Sequence, residues 1–326
     1  MDKVSDISAI DIFAHVLPGR YREILEKRTQ SINFYMKMNE QVRELSDIEA
    51  RFRIMDMHPG MRQVLTLASP PLEEVITDAK SVRDLSKMAN DQMAELVAKY
   101  PDRFVAAVAS VPMVDIDEAL SEIDRVIIDL NFKGIQIYTP CNGKALDSPE
   151  FMPLYEKMSE YDLPIWIHPA RDRAIPDYEG ESHSRYGLFM LVGWPYETTL
   201  AMCRLVFGGV LEKQRKIRFV AHHCGAMVPF FAPRITAQRR PWLPDNTIKY
   251  FRMFYCDTAT VPSLPSLACT LAFFGSDHMM FGTDMPYASS AVIAQTLSTI
   301  DSLEIADREK KRVLKDNAIT LMRLEA

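Results

Sequence analysis

Short, apolar, β-branched runs alternate with longer segments of helical spacing along almost the whole chain, and few folds can satisfy that rhythm. Strand-like runs fall at residues 9–13, 63–67, 104–109, 134–138, 164–168, 217–222, 253–257 and 279–284. Helical spacing occupies 81–99, 116–130, 151–161, 197–212, 228–238, 264–274 and 291–302, with a last helix at 306–323. Strands that are apolar on both faces and separated by helices belong in a parallel sheet covered on both sides. Eight such units in 326 residues predict a closed (β/α)₈ barrel of the TIM type rather than an open doubly wound sheet. At this length, and with 48% hydrophobic residues, the expectation is one barrel domain over residues 1–326. Two irregularities stand out: a charged, mostly helical insertion at 21–57 after the first strand, and a long loop at 170–195 after the fifth. A loop of that length following a strand of a compact domain reads as a lid or substrate loop.

Chemistry in such barrels gathers at the carboxyl ends of the strands. Strand one ends in Ala14-His15, strand five in Ile167-His168, strand six in His222-His223, and strand eight in Gly282-Thr283-Asp284. A lone buried histidine is usually a satisfied core residue, but three strand ends carrying imidazole plus one carrying a carboxylate on a single rim are not explained by packing. Nitrogen and oxygen donors with a coordination position left open are what a catalytic divalent metal requires. His222 and His223 are neighbours on a strand, whose residues face opposite ways, so only one is expected to face the barrel centre. His58 and His278 lie in turns and read as surface residues, and His183 sits in the long loop.

A net charge of −6 and the absence of a long basic run exclude a nucleic-acid footprint. No apolar stretch reaches membrane-spanning length, and the N-terminus has no signal-peptide pattern. The five cysteines, odd in number and scattered, read as reduced thiols of a cytoplasmic protein.

The stretches Ile10-Asp11-x-x-Ala14-His15-x-Leu17-Pro18, Tyr100-Pro101-Asp102-Arg103-Phe104, Gly134-Ile135-Gln136, Ile167-His168-Pro169, Trp194-Pro195-Tyr196-Glu197-Thr198-Thr199, His223-x-Gly225 with Pro229, Tyr255-x-Asp257-Thr258-Ala259 and Gly282-Thr283-Asp284-x-Pro286 occur in order across nearly the whole chain. In these it resembles the amidohydrolase-2 group of the metal-dependent amidohydrolase superfamily, the group of 2-amino-3-carboxymuconate-6-semialdehyde and γ-resorcylate decarboxylases. The resemblance implies His15, His168 and Asp284 as metal ligands, His223 and Asp284 as catalytic groups, zinc or alternatively manganese as cofactor, and a homodimer. It also exposes a departure. The family's first strand carries two ligands, and here the first of those positions is Phe13, which cannot coordinate. Either the metal stays on the remaining ligands, with Asp11 or His223 assisting, or the site is metal-free.

The expected activity is metal-dependent, non-oxidative decarboxylation of a small aromatic or unsaturated carboxylic acid. The alternative is a hydrolase or hydratase acting on a lactone, amide or related small molecule. A non-catalytic binding protein is a third reading, against which the retained rim residues speak. Phe13, Trp194 and Tyr287 are expected to line a pocket for the substrate, and Arg51 to pair its carboxylate; Arg53 and Arg240 are further cations of the same kind.

Overall fold

The computed structural model describes residues 8–29, 34–237 and 240–325. Its strands are β1 Ile10–Val16, β2 Arg62–Leu67, β3 Phe104–Ala107, β4 Ala109–Ser110, β5 Ile135–Thr139, β6 Ile165–Pro169, β7 Phe219–Ala221 and β8 Tyr255–Cys256. All pairings are parallel, in the orders β1-β2-β3 and β4-β5-β6-β7-β8. The two sheets meet at Val108, the hinge between β3 and β4. The Val108 N–H donates to Leu65 O on one side at 2.9 Å, and the Ala109 N–H to Gly134 O on the other at 3.0 Å. β3 and β4 are thus one bent strand.

The eighth run, expected as a strand at 279–284, is not a regular strand. It still fills the gap between β8 and β1. Met280 N donates to Cys256 O, Ile12 N to Phe281 O and Asp284 N to Phe13 O, at 2.9, 3.0 and 3.0 Å. The ladder is irregular because side chains take over its backbone partners. Thr258 Oγ1 accepts from Gly282 N and donates to Gly282 O, and Asp11 Oδ1 accepts from Thr283 N. The molecule is a TIM-type (β/α)₈ barrel whose closing segment is stitched by a threonine and a buried aspartate.

An inner core of Ile12, Phe13, Val64, Val108, Trp166 and Val220 fills the barrel, and Leu321 and Met322 of the C-terminal helix Asn317–Met322 pack with it. A larger apolar layer lies between strands and helices. The insertion after β1 forms helices Gly19–Arg28, Phe34–Glu40 and Ile48–Met55. The long loop after β6 carries one short helix, Leu188–Leu191. The helix expected at 197–212 instead runs Gly193–Phe207, and Gly209, with φ +76, separates it from Val210–Lys213. Among the described residues, no helix is long and apolar enough to cross a membrane.

Candidate active site

β1 ends by delivering His15 into the barrel, fully buried. Its Nδ1 lies 3.0 Å from Thr66 Oγ1, which leaves Nε2 to point at Asp284 Oδ1, also 3.0 Å away. β6 delivers His168, whose Nδ1 donates to Pro169 O at 2.7 Å. That bond fixes the tautomer and leaves the Nε2 lone pair free toward the cluster. β7 ends at Ala221, and His222 follows it, with Nδ1 hydrogen-bonded to the buried Asp257 carboxylate and Nε2 at 3.7 Å from Asp284 Oδ1. Each of the three imidazoles therefore has its Nδ1 engaged by the protein. The ligating atoms of His15, His168 and His222 lie within 4.8 Å of one another, as do those of His222, His223 and Asp284.

The donor set fits a divalent ion. The Nε2 atoms of His15 and His222 are buried and make no other hydrogen bond than their approach to the single oxygen Asp284 Oδ1, at 3.0 and 3.7 Å. Two imidazole nitrogens turned toward one carboxylate oxygen, each ring oriented from behind, match the requirements of a nitrogen- and oxygen-liganded cation.

The electrostatics agree. Burial would raise the Asp284 carboxyl, yet the imidazoles of His15 and His222 hold it well below the ordinary carboxylate range, so Asp284 is an anion. Burial opposes a charge on His222, but the Asp257 carboxylate outweighs it and lifts the pKa to about 9. His168 is pushed well below its ordinary value by burial and by the neighbouring His15 and His222. His223 falls to about 3, again by burial first and then by His222. Asp11 rises to about 6 because burial outweighs the bonds it accepts from Thr283 and Phe13.

The expectation that only one of His222 and His223 could face the centre fails, because pleat alternation ends at Ala221. His223, Cys224 and Gly225 all take positive φ, of 57°, 60° and 71°. That left-handed turn stacks the two imidazoles with centroids 3.7 Å apart, so that His222 joins the ligand cluster and His223 lines the adjoining cavity. Asp257 and His222 are the residues sequence reasoning undervalued. The doublet His222-His223 and an aspartate just after β8 were the available signals.

The cavity measures about 800 Å³ and is lined by Trp194, His223, Asp284 and Tyr287 among others. Trp194 stacks over His223 with centroids 6.3 Å apart, and Tyr287 OH donates to Asn39 Oδ1 at 2.5 Å. The two other residues expected to contact substrate lie elsewhere. Phe13 is buried beneath the cluster with its ring stacked on His222 at 3.7 Å, so it packs against an imidazole and does not reach the cavity wall. Arg51 is also fully buried, its side chain reaching the backbone of β1 and the side chain of Gln63 on β2. Its Nε donates to Gln63 Oε1 and its Nη1 to His15 O, at 2.8 and 2.7 Å. Its charge braces the end of β1 and balances Asp11.

A family model described as amidohydrolase matches residues 10–324. The chain belongs to the amidohydrolase family. Its relatives include a 2-amino-3-carboxymuconate-6-semialdehyde decarboxylase of Dictyostelium discoideum, 28% identical, with 97% of this chain and 92% of that protein covered. A γ-resorcylate decarboxylase of Rhodococcus jostii is 27% identical over 96% of this chain and 94% of its own length. The crystal structure of 5-carboxyvanillate decarboxylase from Sphingomonas paucimobilis superposes with a TM-score of 0.85 at 25% identity, covering 98% of this amidohydrolase and all of that chain. The same fold recurs in a dihydroxybenzoic acid decarboxylase from Polaromonas, solved with manganese and 2-nitroresorcinol, with a TM-score of 0.82 at 24% identity and 97% of each chain covered.

Proposed function

We infer that this amidohydrolase is a metal-dependent decarboxylase of a small aromatic carboxylic acid. The observation that carries the reading is the convergence of three imidazoles with one carboxylate, Asp284, which together with the neutral His223 lines an apolar cavity. The decarboxylase relatives support the reaction class.

His15, His168, Asp284 and, in place of the ligand lost at Phe13, His222 would hold the ion. A divalent ion there would supply Lewis acidity and orient a carboxylate and its neighbouring hydroxyl. Zinc suits a set of imidazoles and one carboxylate, and manganese is the second choice. Asp257, Thr66 and the Pro169 carbonyl orient the ligands.

Decarboxylation of an aromatic ring needs a proton on the carbon that loses CO₂. Asp284, held below the ordinary carboxylate range by His15 and His222, would serve as a ligand. His223 is neutral, and its Nδ1 is buried without a partner. As a neutral imidazole it takes the proton of the substrate hydroxyl and passes it to the ring carbon. The carbon–carboxylate bond then breaks, its electron pair restores the aromatic ring, CO₂ leaves, and the phenolate takes a proton from water on release. Trp194 over His223 keeps water from the reacting face.

The five described cysteines are all free, which supports a reducing, cytoplasmic setting, and exposed Leu191, Val192, Tyr196 and Leu200 support a homodimer.

The test is CO₂ release from 2,6-dihydroxybenzoate by protein reloaded with zinc or manganese after chelation. Metal-dependent CO₂ release is expected. Hydrolysis of a lactone such as dihydrocoumarin with no CO₂ from any hydroxybenzoate would favour the hydrolase reading instead.

A further inference from the structure

The wall of the cavity says more about the substrate than its floor does. Among the described residues, no lysine, arginine or glutamate lines it, and its acidic side chain is Asp284. Most wall residues are apolar, including Met190, Met227, Phe230, Pro265 and Val292. Several of the polar ones are already committed to the protein. Thr283 Oγ1 donates to Asp11 at 2.6 Å, Thr270 Oγ1 to Cys224 O at 3.3 Å, and Tyr287 OH to Asn39 at 2.5 Å. The hydroxyls of Thr260 and Ser266 are left for a neutral polar atom.

Two consequences follow. A second carboxylate on the substrate would be stripped of water against this wall with no cation to meet it, which is costly. A volume of about 800 Å³ is also several times what one ring with small substituents fills, and is of the size that takes drug-sized ligands. Phe230 and Val261 carry the apolar lining outward into solvent, at 73% and 82% exposure.

We propose that the substrate is a hydroxybenzoate-type monocarboxylate bearing an extended apolar substituent, its single carboxylate at the histidine–aspartate floor and its tail along the wall formed by Met190, Met227, Phe230 and Val292. The proposal rests on the decarboxylase reading and deepens it, excluding dicarboxylates as preferred substrates.

The experiment compares 2-hydroxybenzoate, three isomeric derivatives of it carrying a pentyl chain at carbon 4, 5 or 6, and 2-hydroxybenzene-1,3-dicarboxylate. Each is offered to the manganese-loaded enzyme and followed by CO₂ release and by calorimetric binding. Each methylene buried should tighten binding by about fourfold. At least one pentyl isomer should therefore bind, and be turned over in kcat/KM, tenfold or more better than the parent, and the dicarboxylate should do tenfold or more worse. If no isomer yields CO₂ but a pentyl isomer binds tenfold tighter, the decarboxylase reading falls and the pocket preference stands. If no pentyl isomer binds better than 2-hydroxybenzoate, or the dicarboxylate binds best, the proposal is overturned whatever the turnover.

Discussion

At the scale of single residues, the site turns on two adjacent histidines with different surroundings, to which the proposed function gives different tasks. His222 is gripped by Asp257 and faces Asp284, whereas His223 lies under Trp194 and lines the cavity. His222→Asn should therefore lower the bound metal, read by elemental analysis, together with activity. His223→Asn should leave metal content intact and cut kcat by about 10²–10⁴, as loss of an acid–base group does. Equal metal loss in both variants would contradict the division. The His222–Asp257 pair also makes a pH signature in chelated protein. Its folded pKa of about 9 lies above the ordinary 6.5 of the unfolded chain. The stability it contributes is therefore fully present below pH 6.5 and lost as pH rises through 9. Denaturation midpoints measured across that window should fall in the chelated wild type and fall less in Asp257→Asn, in which only Asp284 still favours the charged imidazole. Which histidine does what was not legible in the sequence, because alternation along a strand says nothing once the strand has ended. Arg51 misled for a related reason: a cation reads as solvent- or substrate-facing until its side chain is seen buried against β1 and β2.

At the scale of elements, strand ends were legible and strand regularity was not. Continuous apolar runs stopping at His15, His168 and Asp284 mark where strands leave the core, which is why the rim could be read in advance. The closing segment keeps its place in the barrel while Thr258 and Asp11 substitute for ladder partners, contacts that join residues far apart in the chain. The turn after β7 is likewise fixed from a distance. Gly225 has φ +71, and a Cβ there would lie 2.6 Å from Phe274 Cε2. Gly225→Ala adds left-handed strain to a clash that Phe274 must relieve, for a cost of about 2–4 kcal/mol. The expected outcome is a Tm lowered by several degrees and weaker metal binding, since the turn sets both histidines. An unchanged Tm would mean that the turn is not under this constraint.

At the scale of the molecule, eight strand–helix units gave the barrel away, because closed parallel barrels alone accommodate that rhythm at this length. What the whole fold adds is convergence: four candidate ligand side chains from β1, β6, the turn after β7 and the closing segment meet at one end. A bound ion would therefore tie together elements on all sides of the barrel. At a free metal concentration a thousandfold above Kd, binding should stabilise the folded state by about 4 kcal/mol. Chelation should lower Tm by several degrees, and Asp284→Asn, which keeps the shape of the side chain but removes its charge, should abolish most of that metal-dependent shift while the barrel still folds. The most direct test of the central claim is anomalous diffraction at the manganese or zinc edge from crystals grown with the ion. The account predicts a single strong peak bonded at about 2.0–2.2 Å to the Nε2 atoms of His15, His168 and His222 and to a carboxylate oxygen of Asp284. No peak at that point, or an ion held by other residues, would contradict it.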